Sequence, residues 1–180
     1  MPLRDRTLLL DYSCFFITTT CHEWLHLFQS EKYFSLLYSS LNFVNKKYNA
    51  QIVAYVFMPN HIHFIVYFHE ENHLSDYMRD FKKYTSVHIR KLIEADGRIE
   101  LLSKLRYSEG EQKFKVWMDR FDDVVIRSTK VLSTKMQYIH LNPVRKELAK
   151  YPEDYRHSSA GFYLKEIPAL IPILDFAELR

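Results

Sequence analysis

The chain has 180 residues, of which 47% are hydrophobic and 16% aromatic, with only three glycines. That is one domain's length with enough apolar material for a real core, which excludes a disordered or linker-rich protein. No apolar run approaches the roughly 20 residues of a membrane span, and charge interrupts the N-terminal stretch before a signal-like segment develops. A cytoplasmic protein with no membrane partner is expected. Cys14 and Cys21 are the only cysteines, too few and too widely spaced for a disulfide framework. Cys21-His22 lacks the second pair that a structural zinc site requires.

The net charge of +3 is unevenly placed. Residues 81–150 hold 16 Lys and Arg against 9 Asp and Glu, whereas the flanking segments are each slightly acidic. A basic middle segment suits a polyanionic partner.

Residues 14–20, CFFITTT, are aromatic and β-branched and predict an opening strand. Ser30 is a natural N-cap, and Phe34, Leu37, Tyr38, Leu41 and Val44 follow at helical spacing. Residues 51–57 and 61–68 read as two apolar strands joined through Met58-Pro59-Asn60. The second opens His61-Ile62-His63. Side chains alternate along a strand, so both imidazoles share one face and Ile62 points to a core. Two neutral imidazoles side by side can share one divalent metal.

A second helix is predicted from about Leu74 to Glu94, with Leu74, Tyr77, Met78, Phe81, Thr85, His88 and Leu92 inward. Arg79, Lys82, Lys83 and Arg90 fall together on another side as a basic ridge able to follow a phosphate backbone, or to serve as an ordinary solvated face. Residues 98–113 are mixed and suggest a loop or short helical insert. The stretch Lys113–Val125 alternates well enough to suggest a strand and a return. Within and after it, Trp117, Arg120 and Arg127 are candidates for nucleic-acid contact, Trp117 by stacking on a base or else as core.

A third helix is predicted from about Thr129 to Asn142, where Pro143 is expected to stop it. Leu132, Met136 and Ile139 form its apolar stripe. Tyr138 lies well away from that stripe, with Thr134, Lys135 and Asn142 on its side. Tyr138 is a candidate nucleophile, Asn142 a third, oxygen-bearing metal ligand, and Lys135 a nearby cation that assists the tyrosine or meets DNA.

The spaced pair MPNHIH and YIHLNPV resembles the single-tyrosine HUH transposases of the IS200-like type. Within them it is most similar to the REP-associated tyrosine transposases, as is the later Pro-x-x-Tyr and Ser-Ser segment at 152–159. Phe81-Lys82 resembles the family's lysine-bearing helix, and Trp117 its Trp-containing stretch, although Met118 stands where relatives often carry Gln. The resemblance spans about residues 12–163 of a single domain, followed by an apolar, proline-containing tail at 167–180 expected to dock on the body or on another protomer. It implies a single α+β domain with an antiparallel, ferredoxin-like sheet covered by helices, which the order of the elements also suits. It further implies nicking and rejoining of single-stranded or hairpin DNA. His61, His63 and Asn142 would hold Mg²⁺ or Mn²⁺, and Tyr138 would form a 5′-phosphotyrosine link, in a monomer or homodimer. A histidine-triad hydrolase would need a third histidine at position 65, which is Ile. A hairpin-binding protein that has lost catalysis is the remaining alternative.

Overall fold

A computed structural model describes residues 13–70, 73–107 and 114–179. Residues 71–72 and Lys113, where the fourth strand is expected to begin, lie outside the described residues.

Strand β1 (Cys14–Thr20) leads to helix α1 (Glu31–Lys47), then to the hairpin β2 (Ala50–Phe57) and β3 (His61–Phe68). Helix α2 (Leu74–Ala95), the short α3 (Ile99–Lys104), strand β4 (Asp122–Val125) and helix α4 (Thr129–Arg145) follow, and α5 (Ala160–Lys165) lies in the tail. The sheet order is β2-β3-β1-β4, and every pair is antiparallel. Through β4 this is the split βαβ arrangement, an α+β fold.

Strand alternation divides the core between the two faces. Phe15, Ile17, Ile62, Phe64 and Val66 pack on one side against Leu37 and Leu41 of α1 and Tyr77, Met78 and Phe81 of α2. On the other side Phe16, Val56 and Ile65 pack against Leu132, Met136 and Ile139 of α4. A register shift between Ile52 and Ala54 lets Val53 and Ala54 both join this second core.

Three expectations need correction. Only Asp122–Val125 forms a strand in the region of the fourth expected strand, because Trp117 and Phe114 make isolated bridges to Cys21 and Arg106 instead of a continuous ladder. The inward face of α2 continues through Ile89 and Ile93, while His88 is only half-buried. Pro143 does not stop α4, which runs on to Arg145. The helix closes one turn later, with Glu147 at φ 57° donating to the Val144 carbonyl and Leu148 donating to the Pro143 carbonyl. This is a Schellman closure with Glu in the left-handed position usually given to Gly.

The tail docks on its own chain along the outer edge of β2. Phe57 N–H donates to the His157 carbonyl (2.8 Å), Ser159 N–H to the Tyr55 carbonyl (2.9 Å), and Leu174 N–H to the Ile52 carbonyl (2.8 Å). The Tyr155 hydroxyl donates to the Phe57 carbonyl. An edge that would offer unpaired backbone groups is thereby covered. Ser159 also holds α4 to the sheet, its Oγ lying 3.0 Å from His140 Nε2 and 2.9 Å from the Tyr55 N–H.

Candidate active site

The turn before β3 fixes the histidine pair. Met58 N–H donates to the His61 carbonyl, and β3 then pairs with β1 so that His63 faces Thr18. His61 and His63 are both buried, with ring centroids 4.8 Å apart. Each is held through Nδ1, His61 by Asn60 Oδ1 (2.6 Å) and His63 by Thr18 Oγ1 (2.8 Å). Since Asn60 Oδ1 can only accept, His61 carries its proton on Nδ1 and keeps the Nε2 lone pair available.

Burial sets the protonation of both rings. It pushes His61 down to about 4, partly opposed by the Asn142 amide and reinforced by the Lys146 charge. It pushes His63 down to about 3, with His61 and Lys135 adding to the effect. Both imidazoles are therefore neutral at pH 7, the form a metal ligand requires. Asn142 is buried beside them, and its Oδ1 makes no hydrogen bond. A buried amide oxygen without a partner is costly, and a cation bound by the two histidines would satisfy it. Among the described residues no three His, Cys, Asp or Glu side chains cluster as metal ligands, so a divalent ion here would depend on that amide oxygen.

Tyr138 sits at the rim of this group, 39% exposed. Its ring meets His63 edge-on at 5.1 Å and Phe16 at 5.9 Å, all within one chain. The Arg145 guanidinium lies over the Tyr138 ring at 5.5 Å, and Lys135 Nζ lies over the Phe16 ring at 4.4 Å. Lys135, Tyr138, Asn142 and Arg145 thus form one stripe of α4, at steps of three and four residues. Arg145 was missed in the sequence because the helix was ended at Asn142. Continued past Pro143, the seven-residue step from Tyr138 would have pointed to it. Thr18 depends on the β1–β3 register and carried no local signal.

The basic ridge of α2 is not brought to this site. It lies on the opposite side of the sheet, since α2 packs on the Ile62 face. Lys82 is not free for a phosphate, because its Nζ donates to the Met118 and Asp119 carbonyls (2.7 and 3.0 Å). Arg79 is paired with Asp76 and Asp80, and Arg90 with Glu94 while it also lies over Phe114. Lys83 is exposed. Trp117 is 3% exposed, with its indole N–H donating to Thr85 Oγ1 (2.9 Å), so it is core and offers no face to a base. Arg120 and Arg127 are exposed, the first just before β4 and the second at the entry to α4.

A different indole stands at the site. Trp24, in the turn after β1, is 56% exposed and meets His61 edge-on with ring centroids 5.9 Å apart. Glu23 (φ 51°) and Trp24 (φ 57°) are both left-handed, a conformation that costs a non-glycine residue about 1–2 kcal/mol. Asn60 Nδ2 donates to the Trp24 carbonyl (3.2 Å) and helps hold the turn. A separate cavity of about 600 Å³, lined in part by Leu132, His140, Leu164 and Phe176, includes none of the histidine pair, Tyr138 or Asn142.

A βαββαβ sheet that carries a histidine pair on a central strand, facing a tyrosine on a helix laid across it, defines a class of DNA-processing domain. The IS200-like transposase model matches residues 12–142, and the chain belongs to that family. Among solved structures, a REP-associated tyrosine transposase bound to a REP hairpin superposes with a TM-score of 0.64 at 21% identity, covering 93% of this chain and 90% of that one. A transposase candidate from Deinococcus radiodurans aligns at a TM-score of 0.48 and 12% identity, over 70% of this chain and 87% of that one. No curated protein matches the chain. The family match makes the chain an IS200-like transposase and the superposition supports its α+β fold, and among the described residues no helix is long and apolar enough to cross a membrane.

Proposed function

We propose that the protein nicks and rejoins single-stranded DNA next to a hairpin, through a covalent link between Tyr138 and a 5′-phosphate. The observation that carries this reading is the meeting, in one chain of this family, of Tyr138 with two neutral histidines and an unsatisfied amide oxygen. The hairpin is taken from what the superposed REP-associated transposase binds.

In the forward step the Tyr138 oxygen forms a bond to phosphorus as the bond from phosphorus to the 3′ oxygen breaks. The tyrosine proton passes to solvent, and the leaving oxygen acquires a proton to become a 3′-OH. The phosphodiester count is unchanged, so a later 3′-OH can reverse the step and join strands without ATP. His61, His63 and Asn142 would hold Mg²⁺ or Mn²⁺, which would supply Lewis-acid stabilisation of the charge developing on the phosphate. Thr18 and Asn60 keep the imidazoles oriented. His63 is too weakly basic at neutral pH to take the tyrosine proton itself. Arg145 and Lys135 supply fixed positive charge on both sides of the tyrosine, where a phosphate would sit.

The test is a denaturing gel of the protein with Mn²⁺ and labelled, hairpin-bearing single strands from the DNA flanking its gene. A shifted band is expected that disappears with chelator and in Tyr138→Phe. Intact binding without any such band would leave a hairpin-binding protein.

A further inference from the structure

Of the two tryptophans in the chain, the exposed one stands beside the histidine pair. We propose that Trp24 is a stacking platform for one unpaired base of the DNA strand, adjoining the phosphate presented to Tyr138. The inference rests on the single-strand reading above and names a residue that sets how the strand is held.

Three observations converge on it. The first is exposure: an indole that is 56% solvent-accessible leaves out of the core a side chain that elsewhere in this protein, at Trp117, is fully used inside it. The second is the backbone. Two consecutive non-glycine residues in the left-handed region do not persist unless their surroundings hold them, and such strain concentrates where a side chain must be aimed. Here the turn is fixed at its start by two backbone bonds and at its end by a side chain: Cys21 N–H donates to the Asn60 carbonyl, His22 N–H to the Val116 carbonyl, and Asn60 Nδ2 to the Trp24 carbonyl. The third is the coupling. The same Asn60 side chain holds the Trp24 carbonyl with Nδ2 and His61 Nδ1 with Oδ1, so one amide sets the indole and the imidazole relative to each other.

Every nucleobase has a π-face, so a platform of this kind binds single strands with little regard to sequence. A duplex keeps its bases stacked on one another and cannot use it. The platform therefore selects unpaired DNA at the nicking position.

The experiment measures binding to a short labelled single strand and to a blunt duplex, in Tyr138→Phe protein so that no covalent product forms, for Trp24, Trp24→Ala and Trp24→Phe. Trp24→Ala should weaken single-strand binding about 5- to 150-fold, the range for losing one base–aromatic stack, and leave duplex binding unchanged. Trp24→Phe should restore most of the affinity. Tryptophan fluorescence should be quenched by the single strand in the parent and not in Trp24→Ala, where only the buried Trp117 remains. Equal losses for strand and duplex, or no rescue by Phe, would overturn the platform while leaving the nicking reading intact. A Tyr138-dependent covalent band with Trp24→Ala binding undiminished would do the same. Absence of single-strand binding by the parent protein would overturn both.

Discussion

Replacing Asn142 with Leu separates the energetic role of this residue from its proposed role as a ligand. Leu has the same branched heavy-atom skeleton as Asn, so the buried space is kept while the oxygen that has no hydrogen bond is removed. An unsatisfied buried polar atom costs about 1–3 kcal/mol, and its removal should stabilise the metal-free protein by up to that amount. In a chain of this size each kcal/mol moves the melting temperature by about 2–4 °C. The backbone carbonyl of Asn142 still accepts from Lys146, so the end of α4 is undisturbed. Mn²⁺ should act in the opposite sense. An ion at about 100 times its dissociation constant stabilises the parent by about 2.7 kcal/mol, and this gain should shrink or vanish in Asn142→Leu. Thermal melts with chelator and with Mn²⁺ measure both quantities. A variant less stable than the parent in chelator, with the Mn²⁺ shift retained, would refute the assignment of Asn142 as a ligand held at an energetic cost.

Three further outcomes follow from charged and titratable side chains. Lys82→Ala should lower stability by about 1.5–3 kcal/mol, since it removes a charged donor from two carbonyls, and should leave the salt dependence of DNA binding alone; Arg145→Ala should lessen the slope of log affinity against log salt by about 1. The reverse pattern in salt titrations would return the DNA track to α2. His61, His63 and His140 all titrate below the ordinary histidine value, at about 4, 3 and 4, because burial disfavours their charged forms. Between pH 6.5 and 4 the unfolded chain therefore binds more protons than the folded one. Their contribution to stability is present in full above about pH 6.5 and is lost as pH falls, by up to about 1.4 kcal/mol per unit for each histidine. Urea midpoints should drop between pH 7 and pH 5; equal midpoints would contradict the burial of neutral rings.

Where periodicity and register are local, the sequence was readable. The β2–β3 hairpin places His61 and His63 on one face because strand alternation leaves no other arrangement once Ile62 is inside. The apolar stripe of α4 likewise left Tyr138 at the rim. What was not readable depends on partners distant in the chain. Trp117 is buried by its bridge to Cys21 and its bond to Thr85, and Lys82 is engaged by carbonyls 36 and 37 residues away. In the local sequence pattern neither differs from a residue that faces solvent. Pro143 misled for another reason: its penalty falls on the preceding turn, and the closure through Glu147 and Leu148 carries the helix beyond it.

The way α4 is tethered has a consequence for how copies of the protein can cooperate. Ile126, buried and hydrogen-bonded to Cys14, leaves only Arg127 and Ser128 before the helix begins, a leash of roughly 7 Å at full extension. On the far side nine residues, 146–154, separate the helix from Tyr155, whose hydroxyl bonds the Phe57 carbonyl at the edge of β2. The start of the helix is held beside its own sheet, and within this chain Tyr138 faces its own His63. On the proposed reading each copy would carry a whole set of reacting groups, and a mixture of chains damaged at Tyr138 and at His63 should show no complementation.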